Sequence, residues 1–181
     1  MDFNILYAIQ SMRTELLDQI VLFITNAVGK YGYLWIGVGA LMCLFNKTRK
    51  CGFSVLLSYV LVFLLGHLVL KDLIGRIRPC VIDQTVELLV QRPTSYSCPS
   101  THTSWSFAAA AAIFMYHKKT GIAALVLASI IGFTRMYLFV HFPTDVLFGL
   151  AFGVIIGVLS AFVVKKTAAA IFGRKTADRR A

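Results

Sequence analysis

Five stretches of this chain carry almost no charge: residues 31–46, 53–70, 103–116, 121–140 and 146–164. Helical apolar segments of roughly 20 residues cross a hydrocarbon core about 30 Å thick. Inside that core every backbone polar group must find a partner, and a helix satisfies them within one segment. The second, fourth and fifth stretches are long enough outright, whereas the first and third must borrow flanking residues. The expectation is an all-α, polytopic transmembrane bundle of five to six spans, forming a single domain over 1–181. A hydrophobic content of 58% is too high for an ordinary soluble domain and agrees with this.

The N-terminal region differs. Asn4 is expected to cap a short helix with Ile5, Ile9 and Met12 on its apolar face. Thr14 is expected to cap a second, carrying Leu16, Leu17, Ile20, Val21 and Ile24. Both read as amphipathic segments lying in the interface. Residues 16–29 have two further readings, a short sixth span and a re-entrant hairpin. A cleavable signal peptide is not expected, because no basic stretch precedes an apolar one at the start.

The net charge of +10 is clustered. Lys47, Arg49 and Lys50 occupy one turn, Lys118 and Lys119 another. Lys165, Lys166, Arg174, Lys175, Arg179 and Arg180 belong to the tail at 165–181. If five spans alternate, all three clusters fall on one side. Positive-inside bias makes that side cytoplasmic, the C-terminus included. The expected partners are the bilayer and its anionic headgroups, not nucleic acid. No feature of the sequence sets an oligomeric state.

The same alternation brings the 72–101 loop and the 140–145 turn together on the extracytoplasmic side of a multi-pass cell-membrane protein. Lys71, Arg78, His102, Arg135, His141 and Asp145 then lie near one depth, at or beside helix ends. One lysine there is a snorkelling anchor. Six ionisable groups from four span ends need partners or water, which points to one polar cavity. Lys71 and Arg78, seven apart, share a face if their helix continues. His141 and Asp145, four apart, touch across one helical turn, and Pro143 favours a helix start beside them. Ser100 is a good N-cap, and the N–H groups of Thr101, His102 and Thr103 would then attract an anion such as phosphate. Lys71, Arg78 and Arg135 complete a cradle for it. The alanine run at 108–112 reads as a tight helix–helix contact.

Two histidines at a phosphate site can divide the labour. The attacker needs a neutral ring whose far nitrogen is held by a carboxylate. Only His141 has such a neighbour, Asp145, so His141 is the expected nucleophile and His102 the acid. The cations stabilise the transition state without a metal. His67, His102 and His141 have no ligand-like spacing, so neither metal nor other cofactor is expected.

Three blocks carry a resemblance. "KDLIGRIRP" (71–79) fits Lys, six residues, Arg-Pro. "PSTH" (99–102) resembles Pro-Ser-Gly-His, and "TRMYLFVHFPTD" (134–145) resembles Ser-Arg, five residues, His, three residues, Asp. In this order and spacing they resemble the type 2 phosphatidic-acid phosphatase superfamily of integral-membrane lipid phosphatases. The resemblance implies a six-helix bundle, a phosphohistidine mechanism and no metal. It assigns Lys71, Arg78, Ser100 and Arg135 to phosphate binding, with the backbone after Ser100, and His102, His141 and Asp145 to catalysis. Thr101 stands where the motif has glycine, and Thr134 where it has serine. The small chain is similar to bacterial members acting on undecaprenyl diphosphate; phosphatidylglycerophosphate and phosphatidate are alternative substrates. The same motifs would serve a lipid phosphotransferase. A non-catalytic phosphate-lipid binder or transporter would need the cations but not His141.

Other residues have structural readings. Cys80 and Cys98 bracket the outer loop, either bridged as a disulfide or packed as two thiols. Cys43 and Cys51 are expected to be packing residues. His67 either faces the cavity or is satisfied by a neighbouring helix. Arg76 and Arg92 are expected to be solvated loop residues, with headgroup contact as the alternative. Tyr31, Tyr33 and Trp35 fit an interfacial belt.

Overall fold

The computed structural model describes residues 2–28 and 32–178, with side chains described through residue 170. Tyr31, Arg179 and Arg180 lie outside the described residues. All regular elements among the described residues are helical: α1 (Asp2–Gln10), α2 (Glu15–Val28), α3 (Tyr33–Leu44), α4 (Arg49–Leu61), α5 (Lys71–Ile74), α6 (Pro79–Ile82), α7 (Thr101–Phe114), α8 (Lys118–Tyr137) and α9 (Pro143–Asp178). Between α4 and α5 the chain runs as a π-helix, Val62–Leu70.

Among the described residues, three helical segments are long and apolar enough to cross a membrane: Arg49–Ile82, Lys118–Tyr137 and Pro143–Ala170. The first and third contain the stretches 53–70 and 146–164, and the second covers 121–137 of the stretch 121–140. Taking α2 and α3 together as one bent span gives a fourth. α7 is shorter, 14 residues, and almost all of it is buried. α4, α8 and α9 pack around it. Leu68, Val126, Ile155 and Leu159 point outward and stay exposed, as lipid-facing side chains do.

Lipid offers helices no hydrophobic gain from meeting one another, so close packing must hold them. The α7–α9 contact shows how. Gly149, Gly153 and Gly157 form one face of α9 at four-residue spacing, against Ser100 just before α7 and Ser104 and Ala108 within it. A Cβ on Gly149 would stand 2.8 Å from the Ser100 carbonyl oxygen, and one on Gly153 2.5 Å from that of Ser104. One on Gly157 would collide with the Ala108 carbonyl. Only hydrogen atoms fit at these crossings, which fixes the register of α9 on α7. The alanine run of α7 is buried as expected.

Two groups of polar residues separate along the bundle. The Lys165 ammonium donates to the Met115 carbonyl at 2.8 Å, and the Tyr116 hydroxyl lies 3.0 Å from Ser54 Oγ. The start of α4, the end of α7 and the far part of the α9 apolar run therefore meet, beside the basic turns at 47–50 and 118–119. Lys71, Ser100 and Asp145 lie at the other end.

The N-terminal helices depart from expectation in part. Thr14 caps α2, accepting the Leu17 N–H at 3.3 Å. Asn4, however, sits inside α1, which begins at Asp2. The buried face of α1 is Leu6 and Ile9, while Ile5 and Met12 are exposed. The cause is tertiary: Leu6 and Ile9 join a cluster with Tyr137, Leu138, Phe139, Val140 and Phe142. Trp35 is not a belt residue either; it is buried and donates its indole N–H to Ser106 Oγ at 3.0 Å. Cys80 and Cys98 are both free, buried thiols, as are Cys51 and, less deeply, Cys43. Burial pushes the Cys98 thiol up to about 11, so it stays protonated at neutral pH.

The glycine face makes a direct prediction. Gly153→Ala should lower stability in detergent by about 1–3 kcal/mol, the usual range for overpacking. Gly37→Ala, where a Cβ meets nothing within 4 Å, is the control and should be close to neutral. Equal thermal midpoints for the two variants would contradict the α7–α9 packing.

Candidate active site

Lys71 and Arg78 come from a broken helix, not a continuing one. α5 stops at Ile74 because Gly75 takes the left-handed conformation, φ 60°, which glycine adopts without a Cβ penalty. The chain then extends to Arg78, and Pro79 opens α6. Lys71 and Arg78 therefore do not share a helical face. The break brings both to the same serine instead. Lys71 Nζ donates to Ser95 Oγ at 3.3 Å and to the Tyr96 carbonyl at 2.8 Å. Arg78 donates from Nε to the Ser95 carbonyl at 2.7 Å and from Nη2 to Ser95 Oγ at 3.2 Å.

His141 sits in the turn before α9. Phe139 reverses the chain there with φ 57°, and it is the one non-glycine residue at positive φ among the described residues. Such geometry costs roughly 1–2 kcal/mol. Its ring is fully buried, 6.3 Å from that of Phe3 and 6.0 Å from that of Tyr7. Packing on α1 thus supports the turn that delivers the histidine.

Arg78 Nη1 lies 3.1 Å from His141 Nε2 and donates to the Val140 carbonyl at 2.7 Å. A guanidinium N–H can only donate, so Nε2 is the accepting nitrogen and the ring proton sits on Nδ1. That proton faces Ser97 Oγ at 3.5 Å and Asp145 Oδ2 at 3.7 Å. Ser97 donates a short hydrogen bond to the same Asp145 oxygen, which also accepts the Phe142 N–H at 2.9 Å. The expected His141–Asp145 pairing is present in space, with Ser97 standing between the two. Burial holds His141 well below the ordinary imidazole value of 6.5; Asp145 opposes the shift, and Arg78 and Lys71 reinforce it. The ring is therefore neutral at pH 7.

The first turn of α7 abuts this group. The Ser100 N–H donates to the Asp145 carbonyl at 3.2 Å, and Thr103 donates to Ser100 Oγ at 2.9 Å. Thr101 opens α7 in ordinary helical geometry, so replacing the motif glycine brings no backbone strain. Its hydroxyl is buried and has no hydrogen-bond partner among the described residues. His102 stands on the same turn, half-buried, its ring edge-on to Trp105 at 6.0 Å. Arg135 is buried and points to Thr25 Oγ1 at 2.6 Å, with Thr134 Oγ1 accepting from it at 2.9 Å. It lies within electrostatic reach of Arg78 but shares no hydrogen bond with it among the described residues.

Three participants were not legible as such. Ser95 and Ser97 look like ordinary loop hydroxyls in "TSYSCPS". Arg76 is not a solvated loop residue: it donates to Asp145 Oδ1 at 2.7 Å and to Asp2 Oδ2 at 2.8 Å. Its carboxylate partners are far off in sequence, which explains the error. The two-residue spacings Arg76–Arg78 and Ser95–Ser97 were the available signal, since extended segments place alternate residues on one side. His67 stacks on Phe63 of its own helix at 5.5 Å. Among the described residues no group of three His, Cys, Asp or Glu side chains is arranged to hold a metal ion.

The comparisons with known proteins agree with one another. The PAP2 superfamily model matches residues 49–168. An undecaprenyl-diphosphatase of Sulfolobus acidocaldarius is 35% identical over 136 residues, covering 74% of this chain. The aligned segment spans 66% of that relative's own length. The crystal structure of a transmembrane PAP2-type phosphatidylglycerolphosphate phosphatase from Bacillus subtilis superposes with a TM-score of 0.70 at 31% identity, over 94% of this chain and 85% of that one. LpxE of Aquifex aeolicus also gives 0.70, at 27% identity, over 88% of this chain and 93% of its own. With about two thirds of its length matched by that model, the chain belongs to the PAP2 superfamily of membrane lipid phosphatases.

Proposed function

We propose that this protein hydrolyses a lipid phosphate or diphosphate, undecaprenyl diphosphate foremost, through a phosphohistidine at His141. The observation that carries the reading is the 3.1 Å contact between Arg78 Nη1 and His141 Nε2. A phosphate that takes over this Arg78 N–H arrives beside Nε2 and frees its lone pair for attack. Lys71, Arg78 and Arg135 bind its oxygens, with Ser100 and the N–H groups that open α7 at Thr101.

In the first half-reaction Nε2 attacks phosphorus in line. The N–P bond forms, the bond to the leaving oxygen breaks, and His102 protonates that oxygen. Asp145, through Ser97, keeps the Nδ1 proton in place as the ring gains positive charge. In the second, His102 takes a proton from water, which attacks phosphorus and breaks the N–P bond, releasing inorganic phosphate. For a diphosphate the leaving group is the lipid monophosphate. The fixed cations stabilise the charge on phosphorus in both steps, with no metal or other cofactor.

Undecaprenyl diphosphate is favoured by the name of the Sulfolobus relative, and phosphatidylglycerophosphate is the runner-up from that of the Bacillus structure. The site faces the extracytoplasmic side and the C-terminus the cytoplasm, because the basic turns lie at the opposite end of the bundle. α7 and the α2–α3 pair complete five to six spans.

Purified protein offered a panel of phosphorylated lipids should release phosphate, and His141→Ala should slow release by roughly 10⁴-fold or more. Undiminished turnover in that variant removes the nucleophile assignment. Phosphate passed to another lipid, with none reaching labelled water, would instead identify a phosphotransferase. The pH profile should be bell-shaped. His141 is held neutral by burial, so its protonation inactivates only in acid, and the acid limb should fall below pH 6.5. An acid limb centred above that value contradicts the assignment. A divalent-ion chelator should leave the rate unchanged; strong inhibition would end the metal-free mechanism.

A further inference from the structure

The phosphohistidine mechanism leaves Arg76 without a task, yet the residue is the hub of a network at the site. Its Nη1 donates to Asp145 Oδ1 at 2.7 Å and to Thr144 Oγ1 at 2.6 Å. Its Nη2 donates to Asp2 Oδ2 at 2.8 Å, and Thr144 Oγ1 donates to that same oxygen at 2.6 Å. The guanidinium carbon lies 4.2 Å over the Phe142 ring. The backbone of Arg76 takes part as well. Its carbonyl accepts the Ser97 N–H at 2.7 Å, and Ser97 is the residue whose hydroxyl holds Asp145 Oδ2.

Two physical consequences follow. Asp145 is fully buried, and a buried carboxylate needs a counter-charge. The neutral His141 does not supply one. Among the described residues, Arg76 is the only permanent cation within ion-pair distance of Asp145. Geometry is the second. Oδ1 is fixed by Arg76, and Oδ2 by Ser97 and the Phe142 N–H. A carboxylate held at both oxygens cannot rotate away from the imidazole. Arg76 acts on each: directly on Oδ1, and through its carbonyl on the serine that holds Oδ2.

We infer that Arg76 is a positioning residue for the His141–Asp145 pair, and that Asp2 holds Arg76 in turn, which makes α1 part of the catalytic apparatus. The inference rests on the phosphohistidine reading. A planar fork bridges two carboxylates at once, which an ammonium does less well. The left-handed turn at Gly75 releases Arg76 from the helix and lets it reach between them.

The test compares Arg76→Gln, Arg76→Lys, Asp2→Asn and the Asp2→Asn/Arg76→Gln double variant of the full chain on one lipid phosphate. Arg76→Gln should lower kcat by roughly 10- to 100-fold, the scale of a misplaced catalytic group, with KM within about twofold. Arg76→Lys should recover much of that loss. Asp2→Asn should lower kcat by about threefold, and the double variant should be no slower than Arg76→Gln alone, because Asp2 acts through Arg76. A kcat for Arg76→Gln within about twofold of the parent overturns the inference. So does a raised KM at unchanged kcat, which would make Arg76 a headgroup contact. If Arg76→Gln does not fold, Arg76→Lys and Asp2→Asn carry the test. A drop in kcat at parental KM and thermal midpoint then supports the inference, and parental kcat in both sinks it. His141→Ala separates the two levels. If it is dead while Arg76→Gln runs at the parental rate, only this inference fails. If it retains turnover, the phosphohistidine reading fails as well.

Discussion

The close approach of α7 and α9 is the contact on which the site depends. Two helices in lipid gain little from hiding apolar surface, so their association rests on backbone proximity. Glycines at 149, 153 and 157 allow that proximity against the carbonyls of Ser100, Ser104 and Ala108. The consequence reaches beyond stability. The same register brings the Ser100 N–H to the Asp145 carbonyl, so the first turns of both helices meet at one point. The start of α7 and the His141–Asp145 pair are joined by the packing of small residues.

Around that junction the protein gathers several ionisable side chains in a region with little water. Each is costly alone. Their arrangement spreads the cost by letting each polar atom serve a neighbour. Ser95 receives Lys71 and Arg78. Ser97 links His141 to Asp145. Arg76 joins Asp145 to the N-terminal helix. Such a network holds the His141 tautomer and ring orientation in advance, which under the proposed mechanism leaves less reorganisation for the reaction.

Much of this was legible in the sequence, for identifiable reasons. Charge-free stretches of sufficient length can hardly be anything but spanning helices, and the three longest are the three that qualify. Pro143 opens α9, because a first-turn proline acts locally, whereas Ser100 occupies the N-cap position of α7 without making the side-chain capping bond expected of it. His141 and Asp145 were found because they are four residues apart. Where two groups meet only through the fold, the sequence misled. The spacing of Lys71 and Arg78 puts them on one face only of a continuing helix, and a glycine breaks that helix. Trp35 was assigned to the interface, but Ser106 lies buried beside it. Arg76 was assigned to solvent, although its two carboxylates stand at positions 2 and 145.

The sequence alone determined the solvent, the helical class and the chemical types in the site, since hydropathy and residue identity are properties of single positions and short windows. It also placed the Pro143 start of α9 and the four-residue spacing of His141 and Asp145. Only the tertiary structure decided which of them touch. Ser95, Ser97 and Arg76 acquired roles because a broken helix, an extended loop and a left-handed turn at Phe139 converge on one end of the bundle. Long-range contacts are set by how helices pack, and packing here depends on the absence of side chains at three glycines as much as on any group that is present.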